Sequence, residues 1–336
     1  MKQLRFALAS CCPRRLRDAR SGAAGRAARH WLSASRFRLR PNYAVPSGLS
    51  GNPASACRAT ARKGRQLNAL LAALLFAASD AAQAKSITAL TPSFSDVNKA
   101  IGSAVDGDTV IIPAGKASWA RVLTITKAIT LMGLTTTDSV AGTANDSTIV
   151  QYNLTDKRPL ISVQSVAGKV YRISAITFQS ISSVASANGL IVLGGYSQKV
   201  RVDHCHFALA RSPAPAQGIR VTGAVRGVAD HNVIEQVHTQ TFGVYNGGSP
   251  NDNIGNTAWS QPTAWGSDDF FFVEDNYIKK TGGVVGVCDG DAGMKLVLRH
   301  NHLYNLHIAN HGTEGAARGG RALEIYNNDF HNTDTE

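Results

Sequence analysis

The chain has 336 residues, with 35 Lys and Arg against 23 Asp and Glu, a formal charge of +12. Fifteen of those basic residues, but only Asp18 and Asp80 of the acidic ones, fall in residues 1–84, leaving 20 basic and 21 acidic residues in 85–336. The later part is therefore close to neutral, and the basic excess gives it no basis for binding nucleic acid.

Residues 1–61 are Arg-rich and acid-poor and predict a disordered leader, with a transit peptide and a mis-assigned translation start both open. Arg62, Lys63 and Arg65 then precede an apolar run over 69–78, and Ala82-Gln83-Ala84 supplies a small-residue cleavage site. Residues 62–84 thus predict a secretory signal peptide cut near Ala84, and a secreted or periplasmic protein. The apolar run is too short to span a bilayer, so no stable membrane insertion is expected. Cys11, Cys12 and Cys57 lie in this leader. Cys205 and Cys288 read as small buried residues, with a disulfide between them left open.

Residues 85–336 predict one domain. A helix over 96–104, N-capped by Ser95, puts Val97, Ala100, Ile101 and Ala104 on one face, suited to covering the first rung of a stacked fold. Asp106-Gly107-Asp108 turns into a strand over 109–112, and Pro113-Ala114-Gly115 turns again before strands over 122–125 and 129–132.

Further along, a unit recurs that ends in a polar, a variable and a large apolar residue. The copies are Ile176-Thr177-Phe178, Cys205-His206-Phe207, Asn232-Val233-Ile234, Asn276-Tyr277-Ile278, Asn301-His302-Leu303 and Asn328-Asp329-Phe330. Their closing residues are 29, 27, 44, 25 and 27 positions apart, a fixed period with one insertion. Such a period, carried by β-branched runs, signals a solenoid whose units bury one continuous core. Val202, Ala229, Val273, Leu298 and Ile325 sit five before the closing residue, and Val200, Phe271, Leu296 and Leu323 seven before it. Alternation turns both columns inward.

The Asn residues at a shared phase resemble the asparagine ladder of right-handed parallel β-helix proteins, the pectate-lyase-like superfamily. The Asp-Gly-Asp-Thr-Val-Ile-Ile-Pro-Ala-Gly run at 106–115 is similar to the opening of many secreted carbohydrate-active β-helices. The resemblance covers about residues 93–330. It implies an all-β, single-stranded parallel β-helix with a short N-terminal capping helix. It further implies an enzyme on an acidic polysaccharide, with a non-catalytic carbohydrate-binding or adhesin solenoid as the other class. A monomer is expected. No capping segment follows the rung closed by Phe330, so a chain truncated at its C-terminus is expected.

Polar chemistry is densest over 282–330. A strand ending at Cys288 leads into Asp289-Gly290-Asp291-Ala292-Gly293, read as a turn, and the next rung brings His311, Glu314, Arg318 and Arg321. In uronate β-elimination a cation neutralises the substrate carboxylate while a base removes the neighbouring proton. Asp289, Asp291 and Glu314 are hard oxygen ligands suited to Ca²⁺. His311 or Arg318 would be the base, with Glu314 beside them, and Arg321 would hold a carboxylate. Glycoside hydrolysis needs two carboxylates instead. Asp268-Asp269 with His311-Gly312 faintly resembles polygalacturonase motifs, without their Asn-Thr-Asp or Arg-Ile-Lys. Tyr245, Trp259 and Trp265 flank the insertion and offer rings to a sugar. Finally, the column Ser174, Asp203, Asp230, Glu274, Arg299 and Tyr326, beside His204, His231, Asp275, His300 and Asn327, reads either as a solvated face or as a divalent-metal site.

Overall fold

The computed structural model describes residues 4–6, 83–184, 189–209, 217–236, 240–248, 262–280, 286–308 and 319–332. Among them, three sheets run along one axis, with eight parallel strands in sheet B, six in sheet C, and ten strands in sheet A, nine of them parallel. A full rung runs from sheet A (Val170–Ser174) through a bend to sheet B (Thr177–Ser180), then to sheet C (Ile191–Gly195), and back to sheet A one rung on (Lys199–Asp203). This is the right-handed parallel β-helix that the repeat implied. The leader apart from Leu4–Phe6 lies outside the described residues.

Register explains the fold from the sequence. On sheet A, Tyr171, Val200, Gly227, Phe271, Leu296 and Leu323 align across successive rungs, as do Ile173, Val202, Ala229, Val273, Leu298 and Ile325. All but Gly227 and Ile325 are buried, most completely. Sheet B adds Val150, Phe178, Phe207, Ile234, Ile278 and Leu303 to the same core. Each such side chain contributes about 1.5–3 kcal/mol through burial. Gly227 takes the place of a large residue because its φ is +135° and a Cβ there would lie 1.9 Å from the carbonyl oxygen of Val200.

From Val170 onward, the bend from sheet A to sheet B contains one left-handed residue on each of six rungs. Ala175, His204, His231, Asp275, His300 and Asn327 all have φ between +51° and +58°. Directly after them stand the ladder residues. Asn276 Oδ1 accepts from the Asn232 backbone and side-chain amides (3.0 and 2.9 Å), and Asn301 Oδ1 serves Asn276 in the same way at 3.1 and 3.0 Å. Cys205 continues the column, its thiol facing the carbonyl oxygens of Asp203 and Ile173 at 3.3 and 3.9 Å.

The capping helix spans Phe94–Ser103, and its N-cap is Ser93 rather than Ser95. The Ser93 hydroxyl accepts from Asp96 N, which draws Phe94 into the first turn, where its ring meets Trp119 edge-on at 5.8 Å. Lys127 Nζ donates to the carbonyls of Ile101, Gly102 and Ala104, closing the negative end of the helix. At the far end of sheet A, Leu4–Phe6 pairs antiparallel with Ala322–Tyr326.

Cys205 and Cys288 carry thiols rather than a disulfide, and burial pushes each up to about 12. In a chain starting at Lys85 both should stay silent to maleimide until the protein is unfolded in guanidinium. Fast labelling of the native chain would contradict the packing described here.

Candidate functional site

Sheet C brings two of the predicted residues together. Its strands Gln217–Thr222, Gln240–Tyr245 and Gly286–Gly290 align Arg220, Gly243 and Asp289 on the outward face. Asp289 is part of the strand, so the predicted turn begins later, at Ala292 and Gly293, whose φ angles are +46° and +75°. The carboxylate is only 5% exposed. Its Oδ2 accepts from the Tyr245 hydroxyl at 2.7 Å and more distantly from Gln217 Nε2 at 3.4 Å, and Gln217 Nε2 also donates to the Tyr245 oxygen at 3.0 Å. Gly243 makes this possible, since a Cβ there would fall 2.4 Å from Gln217 Oε1. The Arg220 guanidinium lies over the Tyr245 ring, 4.3 Å from its centroid. Burial, reinforced by the bond to Asp289 and its charge, pushes the Tyr245 phenol up to about 12.

The arrangement is thus a buried carboxylate reached through a phenol, with a cation on the phenol's outer side. Chemically it can take up one proton and bind one anion. Tyr245, expected as a ring for a sugar, and Asp289, expected as a Ca²⁺ ligand, are hydrogen-bonded to each other here, alongside Gln217 and Arg220, which no sequence motif singles out.

The remaining predicted residues are distributed otherwise. Asp291 follows the strand, where its Oδ1 accepts from Ala292 N at 2.7 Å, and it bridges to Gly319. Among the described residues no three His, Cys, Asp or Glu side chains converge as a metal site. His311, Glu314, Arg318 and Trp259 lie outside the described residues. Asp268 is exposed. Asp269 is held between two cations: it accepts from Arg226 Nε at 2.8 Å and pairs with Lys295 Nζ. Burial would raise the Asp269 carboxyl, but Lys295 and Arg226 outweigh it and hold the group below the usual carboxylate range. Trp265 packs on Phe270 at 5.9 Å, and Gly266 N donates to the buried Glu324 at 2.8 Å, so this end of the insertion folds onto the outer face of sheet A. Arg321 lies near Lys295, and its backbone N donates to Met294 O at 3.0 Å.

The carboxylate column beside the bend is neither a solvated face nor a cluster awaiting a metal. Asp203, fully buried, accepts from Arg172 Nε and Nη2 at 2.7 and 2.5 Å, and Asp230 accepts from Arg201 in the same fork at 2.9 and 2.6 Å. Arg299 serves Glu274. His204 and His231 each bond the preceding Asp through Nδ1 at 2.8 Å, and their rings stack at 5.1 Å. Each carboxylate is thus neutralised by an arginine of the preceding rung or, for Glu274, the following one.

Burial alone would raise Asp203, yet its bonds to Arg172 and His204 hold it below the ordinary value of 3.8. A lowered carboxyl stabilises the fold above its unfolded pKa and loses that contribution as pH falls through the folded one. Stability should therefore drop below about pH 4, and Asp203→Asn should flatten that acid limb in urea titrations. An unchanged limb would show that other carboxyls carry it.

The fold is that of a right-handed parallel β-helix. No family model and no curated protein matches the chain. Four solved chains match, among them the pectin methylesterase from Aspergillus niger, with a TM-score of 0.39 and 14% identity over 73% of this chain and 83% of that one.

Proposed function

We propose that this protein is an exported, monomeric enzyme that cleaves an acidic polysaccharide by β-elimination at the outer face of sheet C. The observation that carries the reading is the Tyr245–Asp289 hydrogen bond, 2.7 Å long and nearly buried, beside the guanidinium of Arg220. Arg220 would hold the uronate carboxylate and draw off its charge, acidifying the neighbouring C–H. Tyr245 oxygen would take that proton while its own passes to Asp289, and the pair would return a proton to the departing glycosidic oxygen. A carbon–carbon double bond forms as the carbon–oxygen bond breaks.

Hydrolysis of the polygalacturonase type is less well supported, because Asp269 is already neutralised by two cations and Asp289 is bonded to a phenol. Export rests on the leader. No helix among the described residues is long and apolar enough to cross a membrane.

The test incubates the chain with pectate, alginate and glycosaminoglycans, following unsaturated-product absorbance and reducing ends with and without chelator. Absorbance that survives chelation supports the arginine-assisted form. Absorbance abolished by chelator supports calcium held by Asp289, Asp291 and Glu314. Reducing ends without absorbance would replace elimination with hydrolysis, and silence on every polymer would favour a binding solenoid.

A further inference from the structure

Sheet B presents two outward columns, and among the described residues only one of them is covered. An antiparallel hairpin, Thr136–Asp138 with Thr143–Asn145, stands along the first column. Asp146, just after it, accepts from Thr177 Oγ1 at 2.7 Å and bonds His206 Nδ1 at 2.7 Å, and Thr137 Oγ1 donates to His231 O at 2.8 Å. Gly142, at φ +67°, lies so close to the Tyr277 ring that a Cβ would sit 2.4 Å from it. Thr177, His206 and Tyr277 belong to one register column. The hairpin therefore walls one side of the sheet and leaves the next column open.

That open column reads Gln151, Gln179, Ala208 and Glu235 on successive rungs. Gln151 Nε2 donates to Gln179 Oε1 at 3.1 Å, which leaves Gln151 Oε1 as an acceptor and Gln179 Nε2 as a donor. Ala208 has almost no side chain, so a notch opens between Gln179 and Glu235, two rungs apart at about 4.8 Å per rung. His206, on the same strand as Ala208, is fixed by Asp146 and points Nε2 toward Glu235 at 4.0 Å. Lys116 stands at the lower end, and Ile181, 50% exposed, forms the far wall. Lys116, Gln151, Gln179, Ile181, Ala208 and Glu235 line an open trough of about 390 Å³, the size of a small-ligand site.

We infer that this trough is a second, non-catalytic binding site for a short stretch of uronate-bearing glycan. A donor amide, an acceptor amide and a carboxylate set around a notch match the paired donor and acceptor character of vicinal hydroxyls. Lys116 supplies the charge for a sugar carboxylate, and Ile181 supplies an apolar surface for a sugar ring. The groove is on a different sheet from Tyr245 and Asp289, and its occupancy does not depend on whether that site cleaves.

The experiment titrates the full chain, in the Asp289→Asn background to prevent turnover, with a galacturonate trisaccharide, its neutral galactose counterpart and an acidic peptide, by calorimetry. The acidic sugar should bind, and Glu235→Gln or Gln179→Ala should weaken it at least tenfold. Ala208→Leu, a partly exposed substitution that fills the notch, should abolish binding without moving the thermal midpoint. Lys116→Met should erase the preference for the acidic sugar over the neutral one. Sugar binding that ignores these four changes but is lost in Arg220→Ala would overturn the proposal in favour of a single site on sheet C. No sugar binding, or binding of the peptide alone, would overturn it as well. Absence of cleavage on any polymer leaves it standing, since the readout is binding.

Discussion

Asp289→Asn and Tyr245→Phe should each lower turnover on the acidic polymer by about 10² to 10⁴ while leaving the far-ultraviolet circular dichroism of the β-helix in place. Both changes are close to isosteric, and both spare the inward columns of sheet C. The amide introduced by Asp289→Asn would still accept from the phenol, yet it cannot end the transfer with the proton. Tyr245→Phe removes the hydroxyl through which the buried carboxylate is reached. Arg220→Lys should act differently, because an ammonium lacks the planar fork that grips a carboxylate, so the expected loss is in KM and in turnover together. Turnover unchanged in both Asp289→Asn and Tyr245→Phe would remove the pair from the chemistry. The shift of Tyr245 to about 12 adds a pH test. A raised phenol keeps its stabilising effect below its ordinary pKa near 10 and loses it as pH rises through the folded value. Wild type should therefore weaken between about pH 10 and pH 12, and Tyr245→Phe should weaken less over that window.

The ladder and the core of sheets A and B were legible because the link between them is two residues long on each of the six repeat rungs. A bend of constant length keeps the phase, so the Asn residues and both inward columns recur at countable distances. Sheet C follows connections of varying length, and its outward residues Arg220, Gly243 and Asp289 are 23 and 46 positions apart. No periodicity of the other sheets transfers across those connections, which is why Arg220 and Gln217 escaped notice. Asp289 was read as a turn because Asp-Gly-Asp is good turn chemistry, but pairing with Gln240–Tyr245 keeps it in the strand.

Two further features stayed ambiguous at the level of residue type. His204, His231, Asp275, His300 and Asn327 looked like ligands in a row. Their shared feature is the left-handed backbone, which His, Asp and Asn tolerate better than most side chains. Asp203 and Asp230 share a column with Glu274, and carboxylates so placed need cations beside them. Arg172 and Arg201, two positions earlier along the outward face and one rung back, form the diagonal pairs that neutralise them. That signal was present in the sequence as Arg201-Val202-Asp203, and only the rung offset was missing.

Asn276→Ala should cost about 3 to 5 kcal/mol, among the largest effects expected of a single change outside the glycines. The side chain is fully buried and engages three rungs at once. Its Oδ1 accepts from the backbone and side chain of Asn232, and its Nδ2 donates to the carbonyls of Ala229 and Glu274 and to Asn301 Oδ1, all within 3.0 Å. Truncation leaves the Asn232 backbone N–H buried without an acceptor and strips a partner from each neighbouring rung, and each unmet buried group costs about 1–3 kcal/mol. Cys205 offers the converse change. Its sulfur faces the carbonyls of Ile173 and Asp203, the same two kinds of acceptor that the Asn276 amide takes two rungs on. Cys205→Asn should therefore lengthen the ladder by one member and raise stability by about 1 kcal/mol. Urea midpoints of the two variants decide the matter together. A loss at Asn276 with a gain at Cys205 identifies amide hydrogen bonding as what locks the bend, whereas small effects of either sign at both positions would mean that the apolar columns alone hold the rungs in register.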